Sequence, residues 1–282
     1  MIGEVGPGEM IQLKDEEFQL IADLVYKRTG ITLNEKKKAL VRGRLHSLAR
    51  SKGVKTFNGL YEKIVEDCSG TLLHQFIDRI STNHTSFFRE MDHFEYLVDS
   101  ILPQIIQGRK SSSNREIRIW CAGCSSGEEP YTTAMVITNQ LALALKEWSV
   151  RILATDISLS ALHTASKATY LESCIADIPA SYRRYFRSDK NESQIVVDCV
   201  RKMVLFKRLN LMDEVFPFQG RFDVVFCRNV MIYFDQPTRR RLVGRLHKYM
   251  HPGACLFIGH SESLGRQERL FRYVLPTIYR RS

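Results

Sequence analysis

Apolar residues Phe18, Ile21, Ala22 and Val25 recur at three- and four-residue spacing, which predicts an amphipathic helix opening at Asp15 and closing at Gly30. A second helix is predicted from Asn34 as its cap to Gly53, with Val41, Leu45 and Leu48 on one arc as the core face. Thr56 caps a third that ends before Gly70, and a fourth runs from Thr71 through Ser81. The first ten residues hold three glycines and a proline and read as a loose leader. Residues 1–80 are therefore expected to form a small all-helical domain.

Residues 81–116 read as an interdomain segment: a polar and aromatic stretch, a helix over 91–106, then a surface loop rich in serine and charge. From 117 the pattern changes class. Short apolar runs at 117–123, 150–158, 254–263 and 271–281 read as strands, and 222–234 holds another. Longer periodic runs at 128–148, 159–170 and 236–250 read as helices, the first with Pro130 in its opening turn and the last stopped by His251-Pro252-Gly253. Alternating strand and helix predicts an α/β domain over 117–282, with a mostly parallel sheet and helices on both faces. The last two strands have only a loop between them, so they are expected to pair antiparallel at the sheet edge. Residues 170–206 interrupt the alternation. A short helix over 178–186 and β-rich runs at 193–200 and 202–210 predict a small antiparallel insertion.

The chain has 282 residues, which is enough for two domains with real cores. No window approaches the roughly 18 uninterrupted apolar residues of a membrane-crossing helix, and the N-terminus has no basic stretch followed by an apolar one. The cytoplasm is the expected compartment. Seven cysteines without regular spacing argue against a disulfide framework. Cys121-x-x-Cys124 lacks a second ligand pair, so no metal is expected there. Lysine and arginine total 41 against 31 acidic residues, a formal charge of +10 that points to an acidic partner.

The turn Cys121–Pro130 lies between a predicted strand and helix, where small residues let a ligand approach the backbone. Asp156, at the end of the next strand, is placed to accept hydrogen bonds from ribose hydroxyls. The turn is not G-x-G-x-x-G. Glu128 and Glu129 complement the helix dipole but would repel a pyrophosphate, whereas they suit a ligand bearing a sulfonium and an ammonium. The charge pattern therefore favours S-adenosylmethionine over a dinucleotide.

Several motifs in one order carry a resemblance. Thr82–Glu90, Cys124–Tyr131, Ala154-Thr155-Asp156, Leu209-Asn210-Leu211, Phe226–Phe234 and Gly259–Ser263 resemble the CheR family of chemotaxis receptor methyltransferases, over about residues 12–280. The resemblance implies a class I (Rossmann-like) methyltransferase domain that uses S-adenosylmethionine, after the all-helical domain. The implied reaction is methyl esterification of glutamates on the cytoplasmic helical bundle of membrane chemoreceptors, by an enzyme that is monomeric and does not enter the membrane. By motif, Asn83, Thr85 and Arg89 line the cofactor from the interdomain segment. Gly123 forms the turn, Glu129 reaches the methionine or adenosyl part, and Asp156 the ribose. Asn210 and Leu211 flank the adenine, and Cys227, Arg228 and Asn229 close the reacting side. Arg89 and Tyr233 face the methyl-transfer centre.

The second helix is strongly basic. Lys36, Lys37, Arg42, Arg44 and Arg50 offer a docking surface for an acidic receptor helix, against the simpler reading of a solvated face. Some family members also tether a receptor peptide through a Gly-containing loop in the β insertion. Residues 187–194 have no glycine, which implies no tether. A nucleic-acid methyltransferase is the competing reading. However, Arg228-Asn229-Val230-Met231 stands where amino-methylating enzymes carry an Asn/Asp-Pro-Pro-aromatic motif, and Phe226 precedes Cys227 where a cytosine C5 enzyme needs proline.

Overall fold

The structure is a computed structural model that describes residues 11–111, 113–141, 147–189, 192–265 and 268–282. The expected leader over 1–10 lies outside these residues, as do Lys190 and Asn191 in the insertion loop. The chain divides into two units. One ends at Thr82 and also takes in Tyr233–Asp235; the other comprises Asn83–Ile232 and Gln236–Ser282.

The first unit is helical: α1 (Asp15–Thr29), α2 (Lys38–Ser51), α3 (Phe57–Glu66) and α4 (Thr71–Ile80). Phe18, Val25, Leu45, Leu48, Phe57, Leu60 and Phe76 fill its core. Gly30 closes α1 in the left-handed conformation (φ 73°), its N–H reaching Tyr26 O, because a glycine pays no Cβ penalty there. The Glu17 carboxylate accepts from the N–H groups of Lys14 and Asn58, both at 3.0 Å, and so ties the starts of α1 and α3 together. Thr56 caps α3 by accepting from Gly59 N. The second helix starts later than its sequence suggests. Asn34 makes no side-chain cap bond, and Glu35–Lys37 forms a tighter 3₁₀ turn before α2 begins.

The second unit opens with α5 (Asp92–Tyr96) and α6 (Leu102–Gly108), where one helix was expected. They are joined by a wide π-type turn at Leu97–Ile101. Pro103, in the first turn of α6, has no N–H to give to an i−4 carbonyl, and this loosens the preceding turn. Then follow β1 (Glu116–Ala122), α7 (Glu128–Leu141), β2 (Ser149–Asp156) and α8 (Leu159–Lys167). Next come β3 (Thr169–Leu171), α9 (Glu172–Ile175), β4 (Phe186–Ser188), β5 (Ser193–Val196), α10 (Asp198–Arg201) and β6 (Val204–Arg208). The chain ends with β7 (Phe222–Cys227), α11 (Gln236–Lys248), β8 (Met250–Ile258), β9 (Phe271–Leu275) and β10 (Ile278–Arg281).

The main sheet has the order β6-β2-β1-β7-β8-β10-β9, and β3-β5-β4 forms a small antiparallel sheet. Three expectations need correction. The run at 202–210 is not part of the insertion: β6 pairs parallel with β2, Ile152 opposite Val204, as an edge strand of the main sheet. Residues 271–281 are two strands, because Thr277 turns the chain at φ 62° into a hairpin with β10 inserted between β8 and β9. His251-Pro252-Gly253 does not close a helix but lies inside β8, after α11 has ended at Lys248.

Strand β1 is buried along most of its length between β2 and β7, as its unbroken apolar run requires. Its register fixes the site. Ala122 lies opposite Thr155, Cys121 opposite Phe226, Asp156 opposite Arg208 and Cys227 opposite Ile258, all in parallel pairs. The carboxyl ends of five strands therefore share one edge. The residues that follow them are 123–127, 157–158, 209–211, 228–232 and 259–262. Ligands of open parallel sheets bind at such an edge.

Candidate active site

The turn after β1 is built from three left-handed residues, Gly123 (φ 86°), Ser125 (φ 49°) and Gly127 (φ 99°). The N–H groups of Gly123 and Cys124 both bond Thr155 O, which fastens the turn to β2. Protein packing by itself requires the two glycines. A Cβ at Gly123 would lie 2.4 Å from Val230 Cγ2, and one at Gly127 would lie 2.9 Å from Ala165 Cβ. Asp156 then fixes the turn from below, since its carboxylate accepts from Ser125 N at 2.8 Å and Ser158 N at 2.9 Å. Asn83 joins the same group, its carbonyl accepting from Ser125 Oγ at 3.0 Å and its amide lying 3.5 Å from Ser158 Oγ.

Arg228 is the centre of the site. Its side chain is 2% exposed and sits between two carboxylates, Glu90 at 3.0 Å and Glu129 at 3.2 Å. It also donates to Arg89 O and lies 5.2 Å from the centre of the Phe94 ring. Two carboxylates around one guanidinium leave the group with one net negative charge. Burial pushes the Glu129 carboxyl up, against the pull of Arg228 and a bond from Cys121. The Glu90 carboxyl is held down despite burial, by Arg228 and by the His260 N–H. Glu128 is separate: burial raises it, and Ser126 Oγ donates to it at 2.7 Å.

Phe88, Glu90, Ser125 and Asn229 are non-glycine residues with φ near +50 to +57°, and all four lie in this site. Such strain persists only where the surroundings fix it, and it gathers at functional sites. Here Asn229 is fixed by Glu262, whose half-buried carboxylate accepts from Gly259 N at 2.6 Å, Asn229 N at 2.9 Å and Ile232 N at 3.1 Å. Burial raises Glu262, and these three donors oppose the rise. Glu262→Gln keeps a single acceptor oxygen and turns an amide towards N–H donors. It should cost about 2 kcal/mol, measured by urea denaturation; unchanged stability would show that the clamp is dispensable.

The other expected residues fall as follows. Arg89 is half-buried, its guanidinium donating to His84 O at 3.1 Å, and Thr85 is half-buried in the same segment. Leu211 is buried, and Asn210 turns its side chain back to accept from Met212 N. Cys227 is fully buried and its thiol is pushed well up by desolvation, as are those of Cys121 and Cys124. None of them offers a thiolate at neutral pH. Tyr233 belongs with the helical unit, where its carbonyl accepts from Thr32 N and its ring lies 5.4 Å from Lys37 Nζ.

On the helical unit, Lys36 and Arg50 are exposed. Lys37 is half-buried against Tyr233, and Arg42 reaches Gln12. Arg44 is committed to α4, donating to Ile80 O at 2.7 Å and to Ser81 O and Thr82 Oγ1. It satisfies carbonyls left open at a helix end. Glu90 and Glu262 were given no role from sequence. The one signal for each was its place inside a motif, Thr82–Glu90 for the first and Gly259–Ser263 for the second.

Residues 83–279 match the family model described as "CheR methyltransferase, SAM binding domain", and residues 16–81 match "CheR methyltransferase, all-alpha domain". The chain is 43% identical over 274 residues to a chemotaxis protein methyltransferase of Borreliella burgdorferi, covering 96% of each. It is 35% identical over 276 residues to that of Escherichia coli, covering 96% of this chain and 92% of the other. It is 36% identical over 262 residues to a probable chemotaxis protein methyltransferase of Rhizobium etli, covering 91% and 96%.

Proposed function

Because this chain belongs to the CheR family of methyltransferases, we propose that it transfers a methyl group from S-adenosylmethionine to glutamate side chains of bacterial chemoreceptors, forming glutamate methyl esters. The observation that carries the reading is the Glu90–Arg228–Glu129 cluster at the carboxyl edge of the sheet, beside a clamped Asp156. Its net negative charge suits a cationic ligand, and an acid at the end of β2 suits a ribose. The residues present therefore fit the cofactor.

When bound, S-adenosylmethionine supplies an activated methyl group whose leaving group departs as a neutral thioether. The chain's own residues hold and align. Asp156 takes the ribose, Asn210 and Leu211 flank the adenine, and Asn83, Thr85 and Gly123 border the pocket. Glu129 faces the cationic part, and Cys227, Arg228 and Asn229 close the wall. No general base is needed, because a glutamate has a reference pKa near 4.3 and is ionised at neutral pH. The task is to place a carboxylate oxygen in line and exclude water, which is worth roughly 7–11 kcal/mol. Arg89 positions the attacking carboxylate, and the motif likeness gives Tyr233 a share in this step. Arg89→Ala should cut turnover on the order of 100-fold while the S-adenosylhomocysteine affinity changes far less. Radiolabelled methyl transfer to receptor-containing membranes reads it, and unchanged turnover removes Arg89 from the mechanism.

The exposed cations Lys36 and Arg50 belong, in this reading, to a surface that docks the acidic helical bundle of the receptor. Lys36→Glu/Arg50→Glu should raise KM for receptor several-fold, leave kcat unchanged and flatten the salt dependence. A kcat effect with an unaltered KM would count against docking there. The same reading makes the enzyme a cytoplasmic monomer. A cytosine C5 reaction on nucleic acid is disfavoured, because burial pushes the Cys227 thiol up and leaves no thiolate to attack the base.

A further inference from the structure

His93, on α5, is fully enclosed. Its Nε2 lies 2.7 Å from Thr277 Oγ1, and that hydroxyl donates its only proton to Pro276 O at 2.6 Å. With that proton on Pro276 O, the hydroxyl accepts from the ring, Nε2 carries the ring proton and Nδ1 presents a lone pair. Nδ1 has no hydrogen-bond partner among the described residues. It faces Glu90 Oε2 at 3.6 Å, so an acceptor confronts an acceptor. Such a pair is satisfied by a cation between the two atoms.

A third ligand-bearing side chain completes the group. The His260 ring packs edge-on against His93, with centroids 5.0 Å apart, and its Nε2 is 3.1 Å from Asp92 Oδ2. Ligand atoms of Glu90, His93 and His260 all lie within 4.8 Å of one another. The surrounding charge agrees: the carboxyl groups of Glu90, Glu129 and Asp92 outnumber the guanidinium of Arg228 that pairs with the first two. The Thr277 bond is of the kind that a metal-ligating histidine makes with its second nitrogen, fixing the tautomer so that the first points at the ion. His260 and Asp92 are exposed, which opens a path from solvent. The geometry points to a divalent transition-metal site of the zinc class, formed by His93 Nδ1, the Glu90 carboxylate and a ring nitrogen of His260. Two imidazoles and one carboxylate are a zinc-type ligand set that leaves a coordination position open. This inference rests on the side chains alone and does not depend on the reaction proposed above.

The test is calorimetric titration of the full, chelator-treated and desalted chain with zinc chloride, together with visible absorption on adding cobalt chloride. One zinc per chain should bind with a micromolar or tighter Kd. His260→Ala, at an exposed position, should weaken binding at least about tenfold with an unchanged melting temperature. His163→Ala, also at an exposed position, should bind as the wild type does. Cys68, Cys174 and Cys199 are exposed thiols that could take up metal instead. The cobalt form should therefore show d–d bands without a thiolate charge-transfer band. No binding, equal affinity in His260→Ala, or a thiolate band would each overturn the site.

Discussion

Asp156→Ala should lower the affinity for S-adenosylhomocysteine by about 100-fold or more. A carboxylate that accepts two hydroxyls makes charge-assisted bonds of roughly 1.5–3 kcal/mol each, and alanine loses both. The same substitution strips an acceptor from Ser125 N and Ser158 N, so the turn after β1 also loosens. Asp156→Asn separates the two effects, because its remaining oxygen can still hold Ser125 N. Calorimetric titration of both variants, each checked by thermal melting, reads the loss. Wild-type affinity in the alanine variant would remove Asp156 from the pocket.

Arg228→Met should cost about 3–5 kcal/mol of stability, the usual result of stranding a buried charge by deleting its partner. Here two carboxylates are stranded, Glu90 and Glu129, together with Arg89 O. The loss has a sign in pH. Burial already raises the folded-state pKa of Glu129 above its ordinary value, so ionising it opposes folding, and deleting Arg228 lifts it further. The folded variant then binds more protons than its unfolded chain, and its stability should rise as the pH falls from 8 towards about 5. Adding Glu129→Gln to Arg228→Met should recover part of the loss and flatten that dependence. Urea denaturation across this pH range decides: additive losses would mean that Arg228 and Glu129 are not coupled.

The fold was readable where one period ran unbroken. The four amphipathic helices, β1, β2, β7 and the ends of α1 and α3 follow from spacing and caps. It failed where a choice rested on long-range pairing. Nothing local in 204–208 says that β6 pairs with β2, about fifty residues earlier, rather than with the adjacent insertion. The break between α5 and α6 did have a local cause, Pro103, but proline is usually tolerated in a first turn and the wide turn lies before it. For the site, Arg228 and Asn229 are expected from sequence, while Glu90, which pairs with Arg228, and Glu262, which holds Asn229 N, are not. A motif shows which residues recur together. It does not show that an acid 138 positions upstream supplies the counter-charge of Arg228. The packing demand on the glycines was not legible either, since Gly123 and Gly127 are confined by Val230 and Ala165, residues distant in sequence. Arg44, expected among the docking cations, also donates to the carbonyls at the end of α4, a contact no local pattern announces.

The chain returns to the helical unit for three residues, Tyr233–Asp235, where Phe234 bridges Ile31, Thr32 N reaches Tyr233 O and Tyr26 reaches Asp235. During synthesis the four helices emerge long before these residues exist. The helical unit therefore waits for its last piece until most of the sheet has been translated. A fragment cut at Thr82 would have all the helices and still be an unfinished domain, so the two units are modules by packing but not by inheritance of sequence.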